Sequence, residues 1–259
     1  MLFVKMNGLG NDYVYIDSLK NGKDELEYLE LNALSLVPGL CDRHFGIGAD
    51  GVVILYPSDE ADVRMKMFNA DGSEGLTCGN ALRCIGKYLS ASDPLRERFL
   101  VKTAAGIAEL KMCDGTVTVK LGIPEYVGRD KNVTFVNVGN PHAVIESDSL
   151  SDETFRKAAE LSAEKDVNAE LVLPLDAHSF SMRVCERGSG ETLACGSGAA
   201  AAAYALYRAG KASFPITVKL KGGTLMVGID ASGAVTITGD AETNYTGEVD
   251  IYRYGETER

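Results

Sequence analysis

The sequence is short of basic residues. Lysine and arginine total 26 against 37 aspartate and glutamate residues, so the 259-residue chain has a formal net charge of -11. Because nucleic acids and anionic membranes attract clustered positive charge, this deficit argues against both as partners. No stretch reaches the ~20 apolar residues of a membrane span, and no basic leader with a long apolar segment follows Met1. We therefore expect a cytoplasmic protein with no nucleic-acid or membrane partner.

Metal ligands are equally scarce. The chain has six cysteines and three histidines, and no two cysteines form a Cys-x-x-Cys motif. Zinc sites need cysteine or histidine clusters at short spacing, and a disulfide scaffold needs a higher cysteine density. The sequence therefore predicts no metal site and reduced cysteines.

Cofactor-binding motifs are absent, apart from one match by spacing. Gly46, Gly48 and Gly51 fit the dinucleotide fingerprint, but a predicted strand follows them where that motif must open a helix. The chain has no phosphate-binding loop, no Gly-x-Ser-x-Gly and no lysine in a context typical of pyridoxal phosphate attachment. We expect no cofactor.

Short apolar runs bounded by turn residues recur along the chain and predict many strands. The predicted strands are Tyr13–Ile16, Val52–Tyr56, Val63–Phe68, Phe99–Thr103, Thr116–Leu121, Thr134–Val138, Ala143–Ile145, Leu171–Pro174, Phe180–Cys185, Ile216–Leu220, Leu225–Ile229 and Val235–Thr238. Asp114-Gly115, Lys221-Gly222-Gly223 and the segment 230–233 are typical hairpin connections, so the sheet is expected to be mostly antiparallel.

Four helices are predicted. Asp24 is a candidate cap for a helix to about Val37, and Ser151 for one to about Ala163. A further pair spans 81–91 and 198–209, and Gly210 ends the second of these.

The two halves of the chain resemble each other. A shift of 117 residues places the segment 69–80 over the segment 186–197. The matched pairs are Glu74 with Glu191, Leu76 with Leu193, Cys78 with Cys195, and Gly79 with Gly196. In both halves a predicted strand precedes the segment and a helix follows Cys-Gly. The repeat predicts two pseudo-symmetric domains, each with one cysteine at a helix N-terminus.

A cysteine at a helix N-terminus can act as a base if it becomes a thiolate. The helix dipole stabilises an anion by roughly 0.3–1 kcal/mol, and by ~2 kcal/mol when partly buried, whereas apolar burial raises the pKa. A nearby base or hydrogen-bond donor is therefore needed, and His142 and Glu186 are the candidates. Cysteines are commonly small buried hydrophobes, which is our interpretation of Cys41, Cys84, Cys113 and Cys185.

The free N–H groups at the two helix starts also form an anion site. If the two halves face each other, a substrate carboxylate can rest on both helix ends with a sulfur on each side of its α-carbon. One thiolate then removes the α-proton while the opposite thiol supplies another, so the configuration inverts without a cofactor.

Several motifs together resemble those of the diaminopimelate epimerase family, the cofactor-independent isomerases of lysine and cell-wall precursor synthesis. The motifs, in order, are the segments starting at Lys5 (KMNGLGNDY), Asp42 (DRHFGIGADG), Phe68 (FNADGSE), Cys78 (CGNALRC), Gly139 (GNPH), Asn168 (NAEL), Glu186 (ERGSGET) and Ala194 (ACGSG). The resemblance spans nearly the whole chain.

This resemblance implies roles for particular residues. Cys195 takes the proton from the LL substrate and Cys78 supplies one to give the meso product, with His142 and Glu186 in support. The implied substrate-binding residues are Asn11, Asn69, Asn140, Asn168, Glu186 and Arg187, with Gly79-Asn80 and Gly196-Ser197 holding the reacting carboxylate. The family also implies a homodimer.

The pattern and the resemblance together predict an α+β fold of two pseudo-symmetric domains. Each is expected to be a mostly antiparallel curved sheet or barrel around a central helix, with the active site in the cleft between them. We place the N-terminal domain at residues 1–121, with a returning C-terminal strand at 247–259, and the C-terminal domain at residues 122–246.

The sequence departs from the family at three places. Many members have glutamine where Gly51 stands, a glycine where Ala81 stands, and an aromatic residue where Cys185 stands. None of these changes removes a catalytic atom, but the first removes a side-chain contact to substrate.

Other interpretations stay open at this point. Another amino-acid racemase of the same fold, for proline or histidine, is an alternative, although proline racemases usually have histidine where Asn80 stands. A redox protein that uses Cys78 and Cys195 as a reversible dithiol is a second alternative. Phenazine-synthesis isomerases share the architecture but lack both cysteines. Each asparagine could also be a turn former, His142 a packed turn residue, and Glu186-Arg187 a solvated pair.

Overall fold

The computed structural model describes residues 1–255, which form an α+β fold of two compact units. The first unit comprises residues 1–115 and the stretch from Ala241 onward, and the second comprises residues 116–240. Within the described residues, no helix combines the length and hydropathy that crossing a membrane requires.

The elements of the two units follow in chain order. They are β1 (Leu2–Gly8), β2 (Asn11–Asp17), α1 (Lys23–Leu31), α2 (Ala33–Cys41), β3 (Gly51–Tyr56), β4 (Val63–Asn69), β5 (Glu74–Gly75), α3 (Gly79–Ser92), β6 (Arg98–Thr103), β7 (Gly106–Cys113), β8 (Thr116–Gly122), β9 (Glu125–Asp130), β10 (Val133–Asn137), β11 (Pro141–Glu146), α4 (Asp152–Lys165), β12 (Asn168–Asp176), β13 (Ser179–Glu186), β14 (Gly190–Thr192), α5 (Gly196–Arg208), β15 (Ile216–Leu220), β16 (Gly223–Ile229), β17 (Val235–Gly239) and β18 (Glu242–Glu248).

Strand pairing in the second unit repeats that in the first. The order β1-β2-β3-β4-β6-β7 is matched by β10-β11-β12-β13-β15-β16, and β5 and β14 are short partners of β4 and β13. The second and fourth pairings of each series are parallel and the others are antiparallel. The expected mostly antiparallel architecture and its internal symmetry are confirmed.

Each sheet curves around one helix. In the first unit, α3 contacts β18, β1 and β2 towards one end of the strand order and β6 and β7 at the other. In the second unit, α5 contacts β10, β11 and β12 as well as β15, β16 and β17. Residues 80–86 of α3 and 199–203 of α5 are continuously buried, as expected of a helix that is enclosed on all sides. The central helix predicted for each unit is confirmed.

The remaining helices cover the outer faces of the sheets. Residues of α1 and α2 share a hydrophobic cluster with Val52 and Ile54 of β3, and Phe155 and Ala158 of α4 pack on Leu171 of β12. Ser151 caps α4, as predicted, because its hydroxyl accepts the N–H of Thr154.

The helix predicted from Asp24 to Val37 is two helices. Asn32 leaves the helical conformation (φ -115°, ψ 22°), and its N–H closes α1 by bonding to the Tyr28 carbonyl. The N-cap of α1 is Gly22, so Asp24 lies inside the first turn, where its negative charge interacts favourably with the helix dipole.

The C-terminal strand also differs from the prediction. The strand that returns to the first unit is β18, which pairs with β1 in the register Phe3↔Gly247. Residues 251–254 form a short 3-10 helix capped by Asp250, and Ile251 is buried with α1 and α2. The part of the predicted returning strand at 256–259 lies outside the described residues.

The unit boundaries follow from the strand partners of β8 and β18. β8 pairs with β17, in the register Val119↔Ile237, and so belongs to the second unit, whereas a boundary after residue 121 places most of it in the first. β18 belongs to the first unit with β1, whereas a boundary after residue 246 places most of it in the second.

Candidate active site

Cys78 is the N-cap of α3 in the first unit. Its backbone is extended (φ -146°), and Gly79 begins the helix directly after it. The Cys78 thiol donates to Asn11 Oδ1 at 3.6 Å, and the Tyr13 hydroxyl donates to the sulfur at 3.7 Å. The half-buried sulfur therefore has both an acceptor for its proton and a donor that favours the thiolate.

The Asn11 side chain is held in one orientation. Its amide nitrogen donates to Asp50 Oδ2 at 2.7 Å, while its oxygen accepts from Asn80 Nδ2 at 3.0 Å. Arg43 in turn pairs with Asp50 at 2.8 Å. This arrangement brings Asn11, Asn80 and Cys78 together, and it depends on Asp50, which had no role in the sequence-based prediction.

The side-chain hydrogen bond of Asn69 lies outside that cluster. It ends β4, is exposed, and donates to Ser73 Oγ at 3.0 Å. Its strand partner is Gly51. A Cβ at Gly51 would lie 2.3 Å from the Phe68 carbonyl oxygen and 2.8 Å from the Tyr13 ring. The local packing therefore requires a glycine here, at the position where many family members have glutamine.

Cys195 is the N-cap of α5 in the second unit and is buried. The Gly198 N–H donates to its sulfur at 3.4 Å, and the Ser197 hydroxyl lies 3.5 Å away. Burial raises the pKa of Cys195 well above its usual value, and the negative charges of Glu186 and Glu170 raise it further. The helix N-terminus does not outweigh these effects, so the thiol needs a base.

Glu186 is placed to be that base. It ends β13, where its carboxylate accepts the Thr192 hydroxyl at 2.6 Å and hydrogen-bonds Cys195. Burial raises the pKa of Glu186, and Glu170 adds to this, which strengthens its affinity for a proton. Arg187, the next residue, is exposed and pairs with Asp166 at 3.3 Å.

His142 is fully buried, and its two ring nitrogens face Glu170 and Asn140. Its Nδ1 lies 2.7 Å from Glu170 Oε1, and its Nε2 lies 2.8 Å from Asn140 Oδ1. The electrostatic effect of His142 lowers the pKa of Glu186, so the histidine influences the base that contacts Cys195.

Asn168 connects two of the predicted segments. Its amide nitrogen donates to the Pro141 carbonyl at 3.2 Å, and its oxygen accepts the Arg187 N–H at 3.0 Å. The side chain thus fixes the position of the loop that begins after Glu186 relative to the strand that carries His142.

Three residues of the site, Tyr13, Asp50 and Glu170, have no role in the sequence-based prediction. The available signal for Glu170 was a lone charge in the apolar run from Ala169 to Val172, whereas Asp50 and Tyr13 lay inside quoted motifs without an assigned role.

The remaining cysteines match our interpretation with one exception. Cys41, Cys84 and Cys185 are buried, and burial raises the pKa of Cys41 and of Cys84 to about 12. Cys113 is exposed, because it lies at the end of β7 before the Asp114-Gly115 turn, so its interpretation as a buried hydrophobe is wrong.

Comparison with known proteins identifies the family. The sequence profile of diaminopimelate epimerase matches residues 3–127 and 134–244. Diaminopimelate epimerases from Methanococcus maripaludis (strain C6) and Acetivibrio thermocellus are 37% and 38% identical to this chain; each alignment covers 97% of this chain, with 100% and 99% of the relative.

A solved structure shares the fold. A hydroxyproline epimerase from Agrobacterium vitis superposes with a TM-score of 0.69 at 14% identity, covering 96% of this chain and 90% of that one. On the full-length sequence matches, the chain belongs to the diaminopimelate epimerase family of isomerases.

Proposed function

We propose that this protein is a diaminopimelate epimerase, which interconverts LL- and meso-2,6-diaminopimelate for lysine and peptidoglycan precursor synthesis. Two observations support the proposal: the similarity over 97% of the chain to proteins of that name, and the cysteine that caps the central helix of each unit. The second observation carries the chemistry, because inversion by proton transfer requires one proton carrier for each face of the α-carbon.

The proposed reaction starts at Cys195. Glu186 accepts the Cys195 proton, and the resulting thiolate removes the α-proton of the LL substrate to re-form the S–H bond. Cys78 then releases its thiol proton to the opposite face of the same carbon, which leaves the meso product and a Cys78 thiolate. The reverse reaction exchanges the two roles. The N–H groups at the starts of α3 and α5 stabilise the negative charge that develops on the substrate carboxylate.

Neutral amides and one cation bind the rest of the substrate in this proposal. Asn11, Asn69, Asn140 and Asn168 can each accept from an ammonium and donate to a carboxylate, as a zwitterion requires. Arg187 is exposed, and its ion pair with Asp166 is at the surface, so its guanidinium can exchange that partner for a substrate carboxylate. Glu186 and the backbone of Gly79 and Gly196 complete the proposed set.

A cytoplasmic location and a homodimer belong to the same proposal. The homodimer rests on the resemblance to the family alone.

The test is to follow optical inversion of LL-diaminopimelate and α-deuterium incorporation in heavy water. The wild-type protein is expected to show both, and Cys78→Ala and Cys195→Ala are each expected to lose inversion by at least about 10²-fold, the lower range for a removed acid or base. Cys113→Ala is the matched control, because this cysteine is exposed and lies outside the proposed site; it should keep wild-type turnover.

Three outcomes would contradict the proposal. Wild-type turnover in either single catalytic variant would exclude the two-base assignment. Turnover of free proline, hydroxyproline or histidine, but not of LL-diaminopimelate, would favour another racemase of this fold. Activity that depends on a Cys78–Cys195 disulfide would favour the redox alternative.

A further inference from the structure

Glu170 is a charged residue at a place where the fold has no need of one. It lies in β12 between Ala169 and Leu171, and all three residues are buried, Glu170 with no exposed surface. An ionised carboxylate in such surroundings is strongly disfavoured unless it is paired and hydrogen-bonded. A residue at this position therefore needs a reason beyond packing.

The internal repeat shows that an apolar residue fits the equivalent position. In the parallel pair β2–β3, Tyr13 lies opposite Gly51; in the equivalent pair β11–β12, His142 lies opposite Asn168. Two residues further along each strand come Val53 and Glu170. Val53 is fully buried, so the first unit is built with an aliphatic side chain where the second has a carboxylate.

A second difference accompanies the first. The 117-residue shift places Ala81 of α3 over Gly198 of α5, and Ala81 is fully buried. A Cβ at Gly198 would lie 2.6 Å from Glu170 Oε1 and 3.2 Å from its Cδ. The glycine thus makes the space that the carboxylate occupies. Where the first unit has Val53 and Ala81, the second has Glu170 and Gly198, and the two differences occur together.

The Glu170 carboxylate uses one oxygen and leaves the other free. Oε1 lies 2.7 Å from Nδ1 of His142, itself fully buried, whereas Oε2 has no hydrogen-bond partner among residues 1–255. The other ring nitrogen of His142 lies 2.8 Å from Asn140 Oδ1. Both nitrogens therefore face oxygen acceptors, which is the environment of an imidazole that carries two N–H groups.

The protonation of His142 determines how Asn140 is oriented. When Nε2 carries a proton it donates to Asn140 Oδ1, and the Asn140 amide nitrogen is left to donate elsewhere. If Nε2 were unprotonated, Asn140 would have to turn its Nδ2 group towards the ring and present its oxygen instead. A substrate carboxylate binds favourably to the first orientation and is repelled by the second.

The geometry points to Glu170 as a positioning residue: through a doubly protonated His142 it orients the Asn140 side chain so that the amide N–H groups meet the substrate carboxylate. This inference rests on the proposed function, since it takes Asn140 as a substrate-binding residue. In the first unit an acidic side chain also orients an asparagine, but by direct contact, because Asp50 accepts the amide nitrogen of Asn11 at 2.7 Å.

The other charged groups near His142 have to be considered with it. Glu186 on β13 and the Cys195 thiol at the start of α5 belong to the same electrostatic cluster as His142 and Glu170. The two ring nitrogens lie within hydrogen-bond distance of Glu170 and Asn140, so Glu170 is the acidic group in direct contact with the ring.

The test uses ¹⁵N-histidine-labelled protein at neutral pH. The chain has three histidines, so His44 and His178 provide internal references for the ring shifts of His142. We expect both His142 nitrogens of the wild-type protein to be protonated and Glu170→Gln to show one unprotonated nitrogen, since a neutral amide no longer favours the imidazolium. The KM for LL-diaminopimelate should rise about tenfold or more, as for one lost hydrogen bond to a charged group, with kcat changed less than KM.

A double variant separates this role from a purely structural one. Glu170→Val with Gly198→Ala introduces the residues of the first unit and should fold, because Val53 and Ala81 are both fully buried at the equivalent positions. The same loss of one His142 proton and the same rise in KM are expected. Unchanged ring shifts, or an unchanged KM in both variants, would overturn the inference, as would a loss confined to kcat.

The ring shifts are measured without substrate, so they test Glu170 independently of the activity. If wild-type protein failed to epimerise LL-diaminopimelate while the ring shifts changed as expected, the proposed function would fail and the hydrogen-bond assignment would stand. If wild-type activity were present and neither variant altered the shifts, only the role of Glu170 would fail.

Discussion

Replacing Glu186 by glutamine should lower the activity and, at the same time, make the Cys195 thiol easier to ionise. The carboxylate is the hydrogen-bonded base beside Cys195, and its charge is one of the causes that raise the pKa of that thiol. Glutamine keeps an oxygen for the Thr192 hydroxyl, which now lies 2.6 Å from Glu186, so the local fold should be retained. The variant should therefore form the Cys195 thiolate at lower pH and yet turn over more slowly.

The size of the activity loss follows from the role of the base. A positioned general base contributes about 10²–10⁴-fold, so kcat/KM for LL-diaminopimelate should fall within that range. The sign of the pKa change follows from Coulomb's law, because removing a negative charge makes an adjacent anion easier to form. Burial still acts on the thiol, so its pKa should fall while staying above the ordinary value.

The assay for the thiol is the pH dependence of iodoacetamide alkylation, followed by mass spectrometry. A background of Cys78→Ala with Cys113→Ala removes the two cysteines that are not buried. Cys195 is buried like the remaining three, so its alkylation is followed on its own peptide in the mass spectrum. Glu191→Gln is the matched control: it removes the same charge from the neighbouring strand β14, where Glu191 pairs with Arg183 at 2.7 Å. It should leave both readouts nearly unchanged. A Cys195 that alkylates only at higher pH in Glu186→Gln, or full activity in that variant, would refute the reasoning.

Two further predictions concern the frame around the site. Asp50→Asn should raise the KM for LL-diaminopimelate about tenfold. Both Asp50 oxygens accept hydrogen bonds, so the amide N–H₂ of the new asparagine must face a donor on Arg43 or Asn11. An unchanged KM would show that Asn11 does not need this support. Ser151→Ala should lower the free energy of unfolding by about 1 kcal/mol in urea titrations, since its hydroxyl accepts the Thr154 N–H at 3.3 Å, with activity unchanged; an unaltered midpoint would mean that the cap contributes nothing.

Local signals in the sequence were sufficient for much of the fold. The strand run Val52–Tyr56 and the cap at Ser151 depend on side chains within a few residues of each other, and both are found where predicted. The break at Asn32 was not predictable in the same way, because the apolar spacing continues through it from α1 into α2. The returning strand was also misplaced: Glu242–Glu248 has mostly exposed, polar residues and becomes a strand by pairing with β1.

The sequence by itself determined that two cysteines each cap a helix, because Cys-Gly followed by a helix is a local pattern that occurs twice at a fixed shift. Only the tertiary structure decided which charges act on those sulfurs. Glu186 hydrogen-bonds Cys195 while the adjacent Arg187 is exposed, and Glu170 reaches His142 across 28 positions of the chain. Hydrogen-bond partners of this kind meet through strand register, and the residues that occupy one register position can be far apart in the sequence.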